Sequence, residues 1–336
     1  MSNIGINVKP NRIAWIDIAK GIGIIFVIIA HTVEIGSFTR NFILSFNMPC
    51  FFILSGYTHK IAKNYSELNM RLKKYIKALI IPSLIISCVV ILIQWLSNDN
   101  NSLKTLWEIS KQMGDSLWWA SGVNVRSHSA LGMLWFLFSL FWAKIFIDVI
   151  YILFPGKNTG HIYIFLGLIG ILLGIKGKWL PQNLDVTFVA MIFIYIGMLW
   201  KEYSIHINKY KNILFFISII LWLTCLNFSI YIEMATRSYP YLIISIVEAV
   251  LASFAICCLC EALASNIKIS KITQFIGRHT LLILLIHHID WSLQFIWQTH
   301  SHWLSCILRI LLVLSVSLVV YVFNNYALKK LITKYR

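Results

Sequence analysis

RIAWIDIAKGIGIIFVIIAHTVE, residues 12–34, is an apolar run of membrane-spanning length that carries Asp17 and Lys20 inside it and His31 and Glu34 at its far end. A charge at the centre of a membrane helix costs about 2.5–3.5 kcal/mol on insertion scales, so such side chains need a reason to be there. Lys20 and His31 are eleven residues apart. That is close to three helical turns, which puts both on one stripe about 16 Å apart at ~1.5 Å per residue. Glu34, one turn on from His31, can face it, orient the ring and raise its basicity. A histidine held by a carboxylate is equipped as a general base. Without Glu34, His31 reads equally well as a polar residue at a helix end. Lys20 has a plain reading too: it can snorkel to the surface or pair with Asp17 at i−3.

The rest of the chain agrees with a membrane setting. Its 336 residues are 59% hydrophobic and 12% charged, with a mean hydropathy of +0.76. Soluble domains carry about 25% charged residues. The composition implies an all-α, polytopic integral membrane helix bundle, with residues 1–336 forming a single membrane-embedded domain. The first run lacks an A-x-A cleavage site and is expected to stay as an uncleaved helix. Apolar segments near 13–34, 42–57, 76–96, 129–153, 161–175, 184–200, 212–231, 240–264, 280–297 and 303–327 predict about ten transmembrane helices, with both termini on one side. On the side of the termini fall 19 Lys and Arg residues, against 7 on the other side. By the positive-inside rule both termini are cytoplasmic. The formal net charge of +16 then reports orientation against lipid headgroups, and no nucleic-acid partner is expected.

One long connection, 97–128, is expected outside. SNDNNS reads as a turn and helix cap, and Leu106, Ile109, Met113 and Leu117 recur at helical spacing. Trp107, Trp118 and Trp119 suit a segment lying on the membrane surface. Gly170 and Gly174 form a GxxxG that reads as helix packing. Cys257, Cys258 and Cys260 read as small buried hydrophobes, and no zinc spacing accompanies them, so no metal is expected.

Several further residues could carry chemistry. Arg71 and Lys74, one turn apart where a helix begins, can aim at one anion such as a phosphate. His287 and His288 fall mid-span with Asp290 close by, and such residues must face the protein interior or water. Glu248 is a weaker candidate of that kind. Trp135 is either core packing or a platform for stacking a sugar. There is no GxSxG, HExxH or Walker loop, so no protein nucleophile is indicated. A base without a nucleophile suggests direct transfer to a hydroxyl that the base deprotonates.

These motifs together resemble the acyltransferase-3 family of membrane-bound O-acyltransferases. The family carries Arg or Lys, ten residues, then His in its first helix, as do Lys20 and His31. FNMPCFFILSGY (46–57) is similar to the family's second-helix block, Arg71-x-x-Lys74 to its Arg-x-x-Arg, and LWFLFSLF (134–141) and IGRHTLLILLIH (276–287) to two further blocks. Lys at positions 20 and 74 keeps the charge of an Arg but not its bidentate geometry. Asn47 stands where relatives often have His. The resemblance implies transfer of an acetyl or other short acyl group from cytoplasmic acyl-CoA, a donor substrate rather than a bound cofactor. The acceptor would be a hydroxyl of a cell-surface or lipid-linked glycan. Taken with the residue reading, it points to His31 and Glu34 as catalytic residues, Lys20, Arg71 and Lys74 on the donor, and Trp135, His287, Asn47 and Tyr57 as substrate-binding residues, with the role of Asn47 open. The expected setting is the bacterial cytoplasmic membrane, with membrane lipid as a partner and a homo-oligomer allowed. The rival reading is an exporter of polysaccharide or lipid-linked glycan that does no chemistry; a non-catalytic scaffold is a third.

Overall fold

The computed structural model describes residues 12–125, 127–155, 158–297 and 301–334. Four of the basic residues used to orient the chain, Lys9, Arg126, Lys157 and Arg336, lie outside the described residues. Among the described residues fourteen α-helices form the architecture: α1 Ala14–Ala30, α2 Phe38–Tyr57, α3 Tyr65–Tyr75, α4 Ile81–Leu96, α5 Leu103–Trp119, α6 Trp135–Leu153, α7 Gly160–Ile175, α8 Leu184–Glu202, α9 Ser204–Lys209, α10 Lys211–Asn227, α11 Ile243–Leu263, α12 Ile267–Arg278, α13 Thr280–Ser292 and α14 His302–Lys334. Among the described residues there is no strand, only isolated bridges between Val125 and His128 and between Glu233 and Ser238.

Each of the ten apolar segments contains a helix. Five helical runs are long and apolar enough to cross a membrane alone: Tyr65–Leu96, Gly132–Leu153, Pro181–Glu202, Ile243–Leu263 and His302–Tyr326. The pair α12 and α13, bent by 68°, makes a sixth if it is one span. The first segment falls short because α1 ends at Ala30, four residues before the apolar pattern does. Arg40 Nη1 takes the Ala30 carbonyl at 2.8 Å, closing the helix at the point where α2 begins.

Polar caps start the helices where the sequence places them. Ser37 accepts from the Arg40 N–H to open α2, and Asn64 accepts from Glu67 to open α3. In the SNDNNS stretch Ser102 caps α5, accepting from the Thr105 N–H at 3.2 Å. The α5 stripe of Leu106, Ile109, Met113 and Leu117 is half-buried while Trp107 and Trp118 are exposed, as amphipathic spacing demands.

Helices α1 and α2 lie at the centre, clamped by backbone contacts that only glycine allows. A Cβ at Gly277 of α12 would meet the Asp17 carbonyl of α1, and one at Gly21 would meet the Thr273 carbonyl in return. Gly56 of α2 and Gly197 of α8 cross in the same reciprocal way, against the backbones of Ile194 and Ile53. Dispersion drives association in lipid, so such close approach is a main source of packing energy. Gly170 and Gly174 likewise seat α7 against Asp185 and Arg237, the packing role that the GxxxG spacing implies. Fixed on these sides, α1 leaves its Lys20–His31 face to a cavity.

Candidate active site

Lys20, Ile24 and Val27 of α1 and His31 at its C-terminal cap, spaced by four, three and four residues, line a single cavity of about 540 Å³. Small-ligand pockets run from about 300 to 1,000 Å³, so this one has room for the reacting parts of two substrates. The stripe read from the sequence is therefore a cavity wall along its whole length. His31 is an exposed residue, and what it is exposed to is this cavity.

At the Lys20 end the surprise is how the charges are shared. Asp17, the partner that the plain reading offers Lys20, instead accepts from Arg278 Nε at 3.2 Å and lies 3.8 Å from Arg12. Lys20 then has no hydrogen bond or ion pair among the described residues. Lys144 of α6 lines the same cavity and repeats the pattern. Its nearest acid by sequence, Asp148, is wholly buried and held by His59 Nε2 at 3.0 Å and the Ala62 N–H at 3.0 Å. Burial pushes the His59 imidazole below its ordinary pKa, against the pull of Asp148. Lys144 is left over the Tyr75 ring, 5.1 Å from its centre. Two ammonium groups thus face one cavity end with no carboxylate at ion-pair distance among the described residues.

Arg71 and Lys74, expected at this mouth, do not line the cavity. Arg71 donates to the Ile61 carbonyl at 3.1 Å, bracing the turn between α2 and α3, and Lys74 is exposed. Lys144 was visible in the sequence as a cation inside a span, one turn before Asp148.

Asn47 of α2 is buried and lines the cavity between its two ends, its Oδ1 without a partner among the described residues. A buried, unpaired amide oxygen costs about 1–3 kcal/mol, which a bound ligand donor would recover. Trp135 also lines the cavity, at the His31 end, closely packed against Gly122. Tyr57 does not reach it. Its ring belongs to an aromatic cluster with Trp15 at 5.2 Å and Trp200 at 6.0 Å.

At the His31 end the expected carboxylate is not where the helical spacing put it. Because α1 stops at Ala30, Glu34 lies past the helix in an exposed turn, off the face that carries His31. The ring that His31 does meet is His287 of α13, with centres 5.7 Å apart. His287 is wholly buried, and its Nδ1 lies 3.2 Å from Asp290 Oδ2. Asp290 also accepts from Arg309 Nε at 2.8 Å and Trp297 Nε1 at 2.9 Å. The histidine–carboxylate pair at i, i+3 exists, but on α13 instead of α1. Trp291 of α13 reaches the cavity, stacked at 6.0 Å on His288. Glu248 is wholly buried in α11 and does not line the cavity.

The loops over this end are locked by charge. Arg237 reaches Asp185 at 2.9 Å, Ser121 at 2.7 Å and Asn183, and lies 4.1 Å above the Trp179 ring. Arg40 Nη2 meets Glu233 at 3.4 Å on the cavity wall. Among the described residues no cluster of His, Cys, Asp and Glu could hold a metal ion. The cysteines of α11 are buried, and Cys257 Sγ lies 3.8 Å from Cys50 Sγ.

The sequence pattern of a family described as an acyltransferase domain matches residues 13–324, from the residue before α1 to well within α14. No curated protein and no solved structure matches the chain.

Proposed function

The chain belongs to the acyltransferase-3 family, an integral membrane transferase, and from that premise we propose that it moves an acetyl or other short acyl group from cytoplasmic acyl-CoA to a hydroxyl of a cell-surface or lipid-linked glycan. The observation that carries the proposal is the cavity with Lys20 and His31 at opposite ends of one helix face. A thioester on a long flexible arm, anchored by its phosphates near Lys20 and Lys144, would reach His31 along that wall. Unpaired ammonium groups at one end suit an anionic donor, because each gains a charge-assisted bond on binding. The Trp135 and Trp291 rings and the polar Arg40–Glu233 rim at the other end suit a sugar, which offers an apolar face and hydroxyl edges.

The chemistry needs one base. His31 takes the proton of the acceptor hydroxyl as that oxygen attacks the thioester carbonyl. The C–S bond then breaks, and the proton on His31 goes to the departing thiolate. Asn47, with its Oδ1 unpaired on the cavity wall, would accept from a hydroxyl or N–H of a bound substrate. With both termini cytoplasmic, as the basic residues suggest, the donor enters at the Lys20 end and the acceptor at the His31 end.

The test is purified full-length protein in lipid nanodiscs with acetyl-CoA and glycan, following free thiol release and the O-acetyl resonances of the glycan together. Thiol release matched by new O-acetyl signal is the expected result. Intact thioester with glycan crossing the bilayer of a reconstituted vesicle would make the protein an exporter instead.

A further inference from the structure

Behind His31, away from the substrates, stands a group of buried residues that direct contact with substrate does not account for. We propose that His287, Asp290 and Arg309 form a positioning relay that fixes which nitrogen of His31 faces the cavity; this rests on the reading of His31 as the base.

The argument begins at Asp290. It is almost wholly buried and its carboxylate takes bonds from His287 Nδ1, Arg309 Nε and Trp297 Nε1. Arginine and indole nitrogens only donate, so the carboxylate is an acceptor throughout. His287 must therefore carry its proton on Nδ1, which leaves Nε2 as a lone-pair acceptor. That Nε2 is buried and has no partner among the described residues. The ring beside it is His31, 5.7 Å away centre to centre and tilted by 59°. With centres at that separation, a His31 N–H aimed at the neighbouring ring would donate to His287 Nε2. The other nitrogen, now necessarily unprotonated, then points its lone pair at the cavity as a base requires.

The same arrangement serves the charged state. When His31 takes the acceptor's proton it becomes a double donor, and its bond to His287 strengthens because Asp290 lies behind that ring. Arg309 keeps Asp290 ionised and aligned, so the carboxylate holds the tautomer without taking the proton. The proton stays on His31 until the thiolate leaves. Of the other charged and titratable groups at this end, Arg40 holds the Ala30 carbonyl and Glu233, and His288 stacks on Trp291. None of the three is in the line from Asp290 through His287 to His31.

The relay makes a demand that a substrate-binding role for His287 does not. Removing it must lower kcat and leave KM alone, because His287 does not line the cavity. The test uses full-length protein in nanodiscs. His287→Gln leaves the Asp290–Arg309 pair intact, and Asp290→Glu is the conservative partner to Asp290→Asn. With outer partners of a working imidazole typically worth 10–100-fold, His287→Gln and Asp290→Asn are each expected to lose about that much in kcat. KM for acetyl-CoA and for acceptor should stay within about twofold, and Asp290→Glu should recover most of the loss. A raised KM in His287→Gln, or full kcat in it, overturns the relay. Failure of Asp290→Asn to fold, since it strands the Arg309 charge, is decided by His287→Gln alone. If His31→Ala itself keeps its rate, it is the base assignment that falls; if His31→Ala is dead and His287→Gln is normal, only the relay falls.

Discussion

The two ends of the cavity treat charge in opposite ways. At the Lys20 end, Lys20 and Lys144 make no ion pair among the described residues, and Asp17 is held by Arg278 and Asp148 by His59. At the His31 end the charged groups around the imidazole are paired, Arg309 with Asp290 and Arg40 with Glu233. An unpaired buried cation is costly to keep, and a bound anion offsets that cost. A paired network gains nothing from an anion, but it fixes the geometry of what it surrounds. That contrast supports the proposed division, in which the first end binds and the second carries the chemistry.

The largest effect expected from that contrast is at His31. His31→Ala should lose roughly 10²–10⁴-fold in kcat, the range for removing a general base. It should not impair insertion, because a polar side chain is being removed from an apolar run. Acetyl transfer by purified protein, with membrane insertion checked by fractionation, reads both. A loss of less than tenfold would remove the chemistry from this end of the cavity.

Next come the two lysines. Lys20→Ala and Lys144→Ala should each raise KM for acetyl-CoA by roughly tenfold or more, since a charge-assisted bond is worth about 1.5–3 kcal/mol. Their kcat should be near that of the parent, and Lys20→Arg should be largely tolerated. Steady-state kinetics with acetyl-CoA varied makes the measurement. If either lysine acts instead on kcat, the division between binding and chemistry is wrong at that position.

How far the sequence reaches differs between these two ends as well. The Lys20–His31 stripe was legible because helical periodicity within one segment decides it, and every residue of the stripe is on the cavity wall. The helical segments, the Ser102 cap and the amphipathic α5 were legible for the same local reason. Partner choice was not, because it depends on packing between helices far apart in sequence. Asp17 goes to Arg278, 261 residues away, in place of Lys20 three residues away. Asp148 goes to His59, 89 residues back, which frees Lys144. Arg309 could only be noticed as a cation within a span until α14 packed on α13. Local spacing proposes partners, and tertiary packing in a low-dielectric interior selects among them.

A smaller effect is expected where a sequence-derived donor residue lies off the cavity. Arg71→Ala should cost about 1 kcal/mol of stability through its lost bond to the Ile61 carbonyl, with a KM change well below that of Lys144→Ala. Lys74→Ala should be close to neutral in both. Thermal unfolding in detergent alongside KM separates these outcomes. A large KM effect in Lys74→Ala would extend the binding end outward, to where the nucleotide part of the donor would emerge.

The smallest effect belongs to Glu34, and it is the sharpest check on the geometry. Helical spacing puts Glu34 on the face of His31, where losing its charge would weaken the base. The helix, however, ends at Ala30, one residue before His31 and four before Glu34, and Arg40 holds the Ala30 carbonyl at 2.8 Å. Glu34 then sits in an exposed turn, and the carboxylate behind the imidazoles is Asp290, reached through His287. Glu34→Gln should therefore change kcat by less than about twofold, as exposed substitutions away from a packed network usually do. His287→Gln, measured beside it, should show the much larger loss. Equal losses in the two variants would mean that the 31–37 turn rewinds when substrate binds, bringing Glu34 onto His31. In that case the acidic partner would alternate between α1 and α13 during turnover, and the fixed network at this end would be only its resting arrangement.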